Sequence, residues 1–275
     1  MTHTATPSPT RVLNTARGTF RVAVAGDAAA PPLVLSNSLG TTLDMWAPQV
    51  GAFAQSHRVV RYDTRGHGGS VVTPGPYTIA DLGQDVLAIL DALEVPKAAF
   101  CGVSMGGHIG LWLGVHAGER LQALAVCNSA ARIGTVQGWA ERAAAVRQSG
   151  GQSMQALADS APGRWFTPDF VRAHPDTVRA IQAVLAATSP EGYAACCEAL
   201  AHSDLRADLG HITVPSLLIA GAFDPVTTVA DAHAMQAAMA HAHTEVLQAS
   251  HLSNLEAPQA FTSAVLQFLA GAPSA

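Results

Sequence analysis

The chain has 275 residues and a formal net charge of −5, with 49% hydrophobic and only 13% charged residues. That length fits one large α/β domain with room for an inserted subdomain, and the composition excludes extensive disorder. A mildly acidic chain without a basic run is ill matched to nucleic acid, and no apolar stretch of about 18 residues runs free of charge or of Gly/Pro breaks to span a membrane.

Residues 1–10 are polar, contain proline and lack the apolar core of a signal peptide, so they read as a flexible N-terminus on a cytoplasmic protein. Residues 11–14 and 20–25 predict a leading antiparallel strand pair. Further strands are expected at 32–36, 58–62, 98–101, 121–127, 216–220 and 245–247; several are the continuous apolar runs of strands buried on both faces. The clearest helix is 79–93, where Ile79, Leu82, Val86, Ile89, Leu90 and Leu93 share one face, with Thr78 and Asp81 set as a capping box. From 130 to 210 the strand signal stops. This stretch is Ala-rich, helical in pattern and punctuated by Pro162, Pro168, Pro175 and Pro190, and it reads as a helical cap inserted into a core of residues 11–129 and 211–271. A closing helix is expected at 257–269, with Pro258 in its first turn. The alternation of strands and helices predicts a mostly parallel sheet. Cys101, Cys127, Cys196 and Cys197 show no disulfide-framework spacing, which fits a reduced compartment.

The strongest motif is Gly102-Val103-Ser104-Met105-Gly106, between a strand and a helix. G-x-S-x-G in that setting is a nucleophile elbow, a turn tight enough to lift the serine oxygen above the sheet. Side chains at Gly102 and Gly106 would collide with neighbouring backbone. A serine hydroxyl needs a base, and the chain order Ser, Asp, His singles out Asp224 and His251, both just past strand ends. Asn128, at the other strand end where an acid could sit, is not acidic. Two backbone N–H groups must hold the oxyanion. By position these are Met105, after the nucleophile, and Leu39, in the Asn37–Thr41 loop. The Gly-rich segment from Asp63 to Ser70 lacks both phosphate-loop patterns and reads as a tight loop held by Asp63 and Arg65. No His/Cys set has metal-ligand spacing, and no cofactor or metal is expected.

On the elbow, the 63–70 loop and the placement of Asp224 and His251, the chain resembles the α/β-hydrolase superfamily over about residues 10–270. Narrower segments resemble the 3-oxoadipate enol-lactonases: Leu35–Thr41, Asn128–Gly134, Trp165–Pro168, Glu191–Cys197 and His251–Glu256. Asn37-Ser38 stands where most of the superfamily carries His-Gly, a departure typical of the lactonase group. The resemblance implies an α/β-hydrolase fold with an eight-stranded, mostly parallel sheet flanked by helices and carrying a helical cap. It also implies hydrolysis of a small enol-lactone bearing an acetate arm, within the β-ketoadipate pathway of aromatic catabolism.

Such a substrate's carboxylate calls for a cation, and arginine offers a bidentate grip. Arg132 is the first candidate and Arg164 the second, with Trp139 as an apolar wall; Trp165 and Tyr193 read as cap core. The expected partner is a small-molecule lactone, and the expected state is a monomer or small homo-oligomer. The alternatives are a general carboxylesterase, a cofactor-free perhydrolase, or a small-molecule receptor on a hydrolase scaffold. A haloalkane dehalogenase is disfavoured, because it needs an aspartate where Ser104 stands.

Overall fold

The computed structural model describes residues 9–149 and 151–271. Its eight strands are β1 (Thr10–Thr15), β2 (Gly18–Ala25), β3 (Pro32–Ser36), β4 (Arg58–Tyr62), β5 (Ala98–Val103), β6 (Leu121–Cys127), β7 (Ser216–Gly221) and β8 (Ala242–Leu247). They form one sheet in the order β1-β2-β4-β3-β5-β6-β7-β8. Strand β2 runs antiparallel to β1 and β4, and every pairing from β4 through β8 is parallel. This is the expected α/β-hydrolase sheet. Most of the expected flexible N-terminus, residues 1–8, lies outside the described residues. Its last residue, Thr10, is a correction: it pairs with Ala23 and belongs to β1.

The helices are α1 (Ala47–Phe53), α2 (Ile79–Ala92), α3 (Met105–His116), α4 (Val136–Ser149), α5 (Gly151–Ser160), α6 (Pro162–Trp165), α7 (Pro168–Ala173), α8 (Pro175–Ala186), α9 (Pro190–Ala201), α10 (Val229–Ala238), α11 (Ser253–Glu256) and α12 (Pro258–Gly271). Thr78 and Asp81 close the capping box of α2. Helix α3 is buried almost all round, as a helix apolar on every face must be. Each proline that punctuates the 130–210 interval opens a helix, at the first turn of α6, α7, α8 or α9. There the missing N–H is one the helix could not have used.

Helices α4–α9 form an insertion between β6 and β7. They close onto the core at a glycine seam. A Cβ on Gly192 of α9 would lie 2.2 Å from the Gly66 carbonyl oxygen, so both residues must be bare for the two backbones to touch. Beside the seam, Arg147 of α4 pairs with Glu191 and Glu198, and Glu191 accepts the Gly75 N–H at 2.8 Å. The closing helix differs from expectation. Ala257 stands at φ −126°, as the residue before a proline must avoid the helical region, so a short turn, α11, precedes α12. No described helix is long and apolar enough to cross a membrane.

Candidate active site

Ser104 follows β5 directly and caps α3 with φ +57° and ψ −116°. An L-residue adopts that conformation only where its surroundings enforce it. A Cβ on Gly102 would fall 2.2 Å from the Gly106 carbonyl oxygen, and one on Gly106 would fall 2.3 Å from that of Ser36. The turn is therefore too tight for a side chain at either glycine. The Ser104 N–H donates to the Cys127 carbonyl at 2.9 Å, while its own carbonyl accepts the Ser129 hydroxyl at 2.7 Å.

The structure brings Ser104, His251 and Asp224 together from the ends of β5, β8 and β7. His251 Nε2 lies 2.9 Å from Ser104 Oγ, and His251 Nδ1 lies 2.8 Å from Asp224 Oδ2. An ionised carboxylate only accepts, so Nδ1 carries the hydrogen and Nε2 offers its lone pair to the hydroxyl. Burial alone would raise the Asp224 carboxyl. Against it work the His251 hydrogen bond and charge, the Val226 N–H and the Asn128 amide, and the outcome is a pKa below the usual carboxylate value. Asn128 Nδ2 donates to Asp224 Oδ2 at 3.1 Å, and Thr227 Oγ1 donates to the same oxygen at 2.9 Å. Sequence reasoning did not assign either a part here. The place of Asn128 at the end of β6, next to β7, was the signal available.

A cavity of about 360 Å³ opens over Ser104 and His251. Leu39 lies on its wall. The Leu39 N–H has no acceptor among the described residues. Met105 is the first residue of α3, where a helix leaves its N–H groups unpaired and its dipole favours negative charge. The insertion supplies the opposite wall through Trp139, Arg142, Arg164 and Tyr193. Trp165 and Tyr193 are buried cap residues that also face this cavity.

Arg132 is a correction. Ala131 and Ile133 on either side are buried, so residue 132 turns outward. It lines a separate surface pocket, its guanidinium 3.7 Å from Asp204. The cation that sequence reasoning passed over is Arg142. It lies three residues beyond Trp139 on α4, with its guanidinium 4.8 Å from the indole centroid. Arg142 and Arg164 have no acidic partner within 4 Å among the described residues. Burial lowers the Arg164 pKa, and the neighbouring charge of Arg142 lowers it further. The cavity thus joins a hydroxyl, a base and two uncompensated guanidinium groups, an arrangement fit for acyl transfer on an anionic substrate. The Asp63–Ser70 loop is held as expected: Asp63 accepts the Leu43 and Gly69 N–H groups at 2.8 and 2.9 Å, and Arg65 grips Asp85.

Residues 31–258 match the model of the alpha/beta hydrolase fold family. The chain is 50% identical over 240 residues to a 3-oxoadipate enol-lactonase 2 of Acinetobacter baylyi, covering 87% of this chain and 89% of that protein. It is 46% identical over 243 residues to 3-oxoadipate enol-lactonase 1 of the same organism, covering 88% and 90%. The crystal structure of an enol-lactonase from Burkholderia xenovorans superposes with a TM-score of 0.92 at 43% identity, covering 94% of this chain and all of that one.

Proposed function

The chain belongs to the α/β-hydrolase fold family, in its enol-lactonase group, and from that premise we propose that it opens 3-oxoadipate enol-lactone to 3-oxoadipate through an acyl-enzyme on Ser104. One observation carries the reading: the triad-bearing cavity also holds Arg142 and Arg164, which have no acid to neutralise them among the described residues. A neutral ester has no use for two such cations. A lactone with a carboxylate arm does, since an anion supplies the missing partner and charge-assisted bonds are the strong ones. The same observation argues against a general carboxylesterase.

In the proposed reaction the arginines hold the carboxylate and set the lactone carbonyl over Ser104. His251 Nε2 takes the hydroxyl proton as Oγ attacks, and Asp224 stabilises the resulting imidazolium. The carbonyl oxygen becomes an anion held by the Leu39 and Met105 N–H groups. Collapse breaks the ring C–O bond. The ring oxygen leaves as an enolate, a good leaving group, takes the proton from His251 and tautomerises to the ketone. His251 then removes a proton from water, the hydroxide attacks the acyl-enzyme, and Ser104 recovers its hydrogen as 3-oxoadipate departs.

The test is ultraviolet absorbance of freshly generated enol-lactone, with wild type beside Ser104→Ala. Rapid loss with wild type alone is expected. Equal loss with both proteins would remove Ser104 from the mechanism. No loss with either, while wild type alone cleaves an aryl ester, would keep the triad and discard the substrate.

A further inference from the structure

Two buried polar side chains, one in the Asn37–Thr41 loop and one packed against it, take no part in the reaction as derived. Thr41 is fully buried, and its Oγ1 donates to the Ser38 carbonyl at 2.8 Å. The Thr41 N–H reaches the same oxygen at 3.2 Å. Met45 Sδ also lies 3.0 Å from the hydroxyl, but a thioether is a weak acceptor and the proton belongs to the carbonyl. His67 is equally hidden. Its Nε2 accepts the Gly40 N–H at 2.9 Å, and its Nδ1 lies 3.2 Å from the Arg65 carbonyl. A carbonyl cannot donate, so Nδ1 carries the hydrogen and Nε2 the lone pair.

These contacts bracket Leu39, one on the peptide before it and one on the amide after it. The Ser38–Leu39 peptide is trans. In a planar trans unit the C=O and N–H point in opposite directions. Pinning the Ser38 oxygen toward Thr41 therefore turns the Leu39 N–H away from Thr41. Asn37 is tied separately to Tyr62 and Trp46, so these two contacts act on the peptides either side of Leu39, next to Gly40 at φ +78°, the pliable residue of the loop. A donor fixed in advance needs no reorganisation when charge develops.

We propose that Thr41 and His67 are the positioning residues of the oxyanion hole, holding the Leu39 N–H on the oxygen that turns negative when Ser104 attacks. The inference rests on the hydrolase reading given above. It assigns the buried Thr41 hydroxyl a role in the rate of the chemical step and none in substrate affinity.

The experiment compares wild type with Thr41→Val, Thr41→Ser and Ser104→Ala. Initial rates on the enol-lactone give kcat and KM. A boronic acid, whose tetrahedral Ser104 adduct places an oxygen in the hole, is titrated beside 3-oxoadipate, which makes no such adduct. Thr41→Val is expected to lower kcat about 10- to 100-fold, less than outright loss of an oxyanion donor, with KM little changed. Boronic acid affinity should fall by a similar factor and product affinity should hold. Thr41→Ser keeps the hydroxyl and should restore both. If Thr41→Val does not fold, the pair His67→Gln, which keeps an acceptor for Gly40, and His67→Phe, which does not, makes the same comparison. Wild-type kcat and boronic acid affinity in Thr41→Val would overturn the proposal, as would a loss of kcat with boronic acid affinity intact. An active Ser104→Ala would instead sink the hydrolase reading itself.

Discussion

Among the arginines of the insertion, Arg142 and Arg164 stand apart because neither has an acidic partner among the described residues; Arg164 donates to the Ser160 hydroxyl at 3.1 Å. Arg147 has Glu191 and Glu198, Arg172 has Asp169, and Arg179 has Asp176. A hydrogen bond to a charged group contributes about 1.5–3 kcal/mol, so Arg142→Gln and Arg164→Gln should each raise KM for the enol-lactone about 10- to 100-fold. Hydrolysis of a neutral aryl acetate should be almost unchanged, and parallel kinetics on the two substrates would decide it. Asp224→Asn tests the other end of the site. Its amide would donate toward His251 Nδ1 and favour the tautomer with hydrogen on Nε2, where Ser104 needs a lone pair. A fall in kcat on the order of 1,000- to 10,000-fold is expected in stopped-flow assays, with KM far less affected. The sequence made Ser104, Asp224 and His251 legible because each sits at a strand end in a fixed order. Arg142 was not legible in that way. Its partner Trp139 is three residues earlier on α4, the spacing that puts two side chains on one helix face, but nothing in the sequence says which face looks into the cavity.

At the scale of elements, strong local chemistry made the boundaries readable. The capping box at Thr78 and the prolines opening α6 to α9 act within one turn of chain. The first half of β8 was harder to read, because tertiary pairing decides it. Residues 242–244 gain their strand character from β7, against Ser216–Leu218, and carry little apolar pattern of their own. The seam between insertion and core is of the same kind. Gly66 and Gly192 are far apart in sequence, yet each leaves no room for a methyl group on the other. Gly192→Ala forces that methyl onto a carbonyl oxygen, and overpacking of this sort costs about 1–3 kcal/mol. A lower urea midpoint with an unchanged slope is the expected result. An unchanged midpoint would mean that the insertion shifts freely on the core.

Across the whole molecule, His108 joins the nucleophile's helix to both ends of the insertion. It lies on α3, one turn past Ser104. Its Nδ1 is 2.8 Å from the Ala130 carbonyl, where the insertion begins, and its Nε2 is 2.7 Å from Ser203 Oγ, where it ends. The two ends also meet directly, the Leu205 N–H donating to the Ala131 carbonyl at 2.9 Å. The carbonyl must accept from Nδ1–H, and in the neutral ring that burial favours, the Ser203 hydroxyl donates to Nε2. Burial lowers the imidazole pKa to about 4, outweighing the Ala130 hydrogen bond and the charge of Asp204. The unfolded chain binds that proton near pH 6.5, so between about pH 6.5 and 4 it holds more protons than the native state. Stability is then complete above pH 6.5 and falls as the pH drops through that window. For this residue the loss from pH 7 to pH 5 is about 2 kcal/mol. The lowered Asp224 carboxyl acts in the same direction, but below its unfolded pKa of 3.8, outside the window. His67 and His57 are also lowered by burial and add to the slope, so the test must isolate His108. His108→Gln can keep one hydrogen bond but does not titrate. Urea unfolding at pH 7 and pH 5 should show a smaller loss for the variant, by about 2 kcal/mol, even if it starts less stable at pH 7. An equal loss in both proteins would mean that the proton taken up on unfolding belongs to another group and that the insertion's two ends are held independently of this histidine's charge.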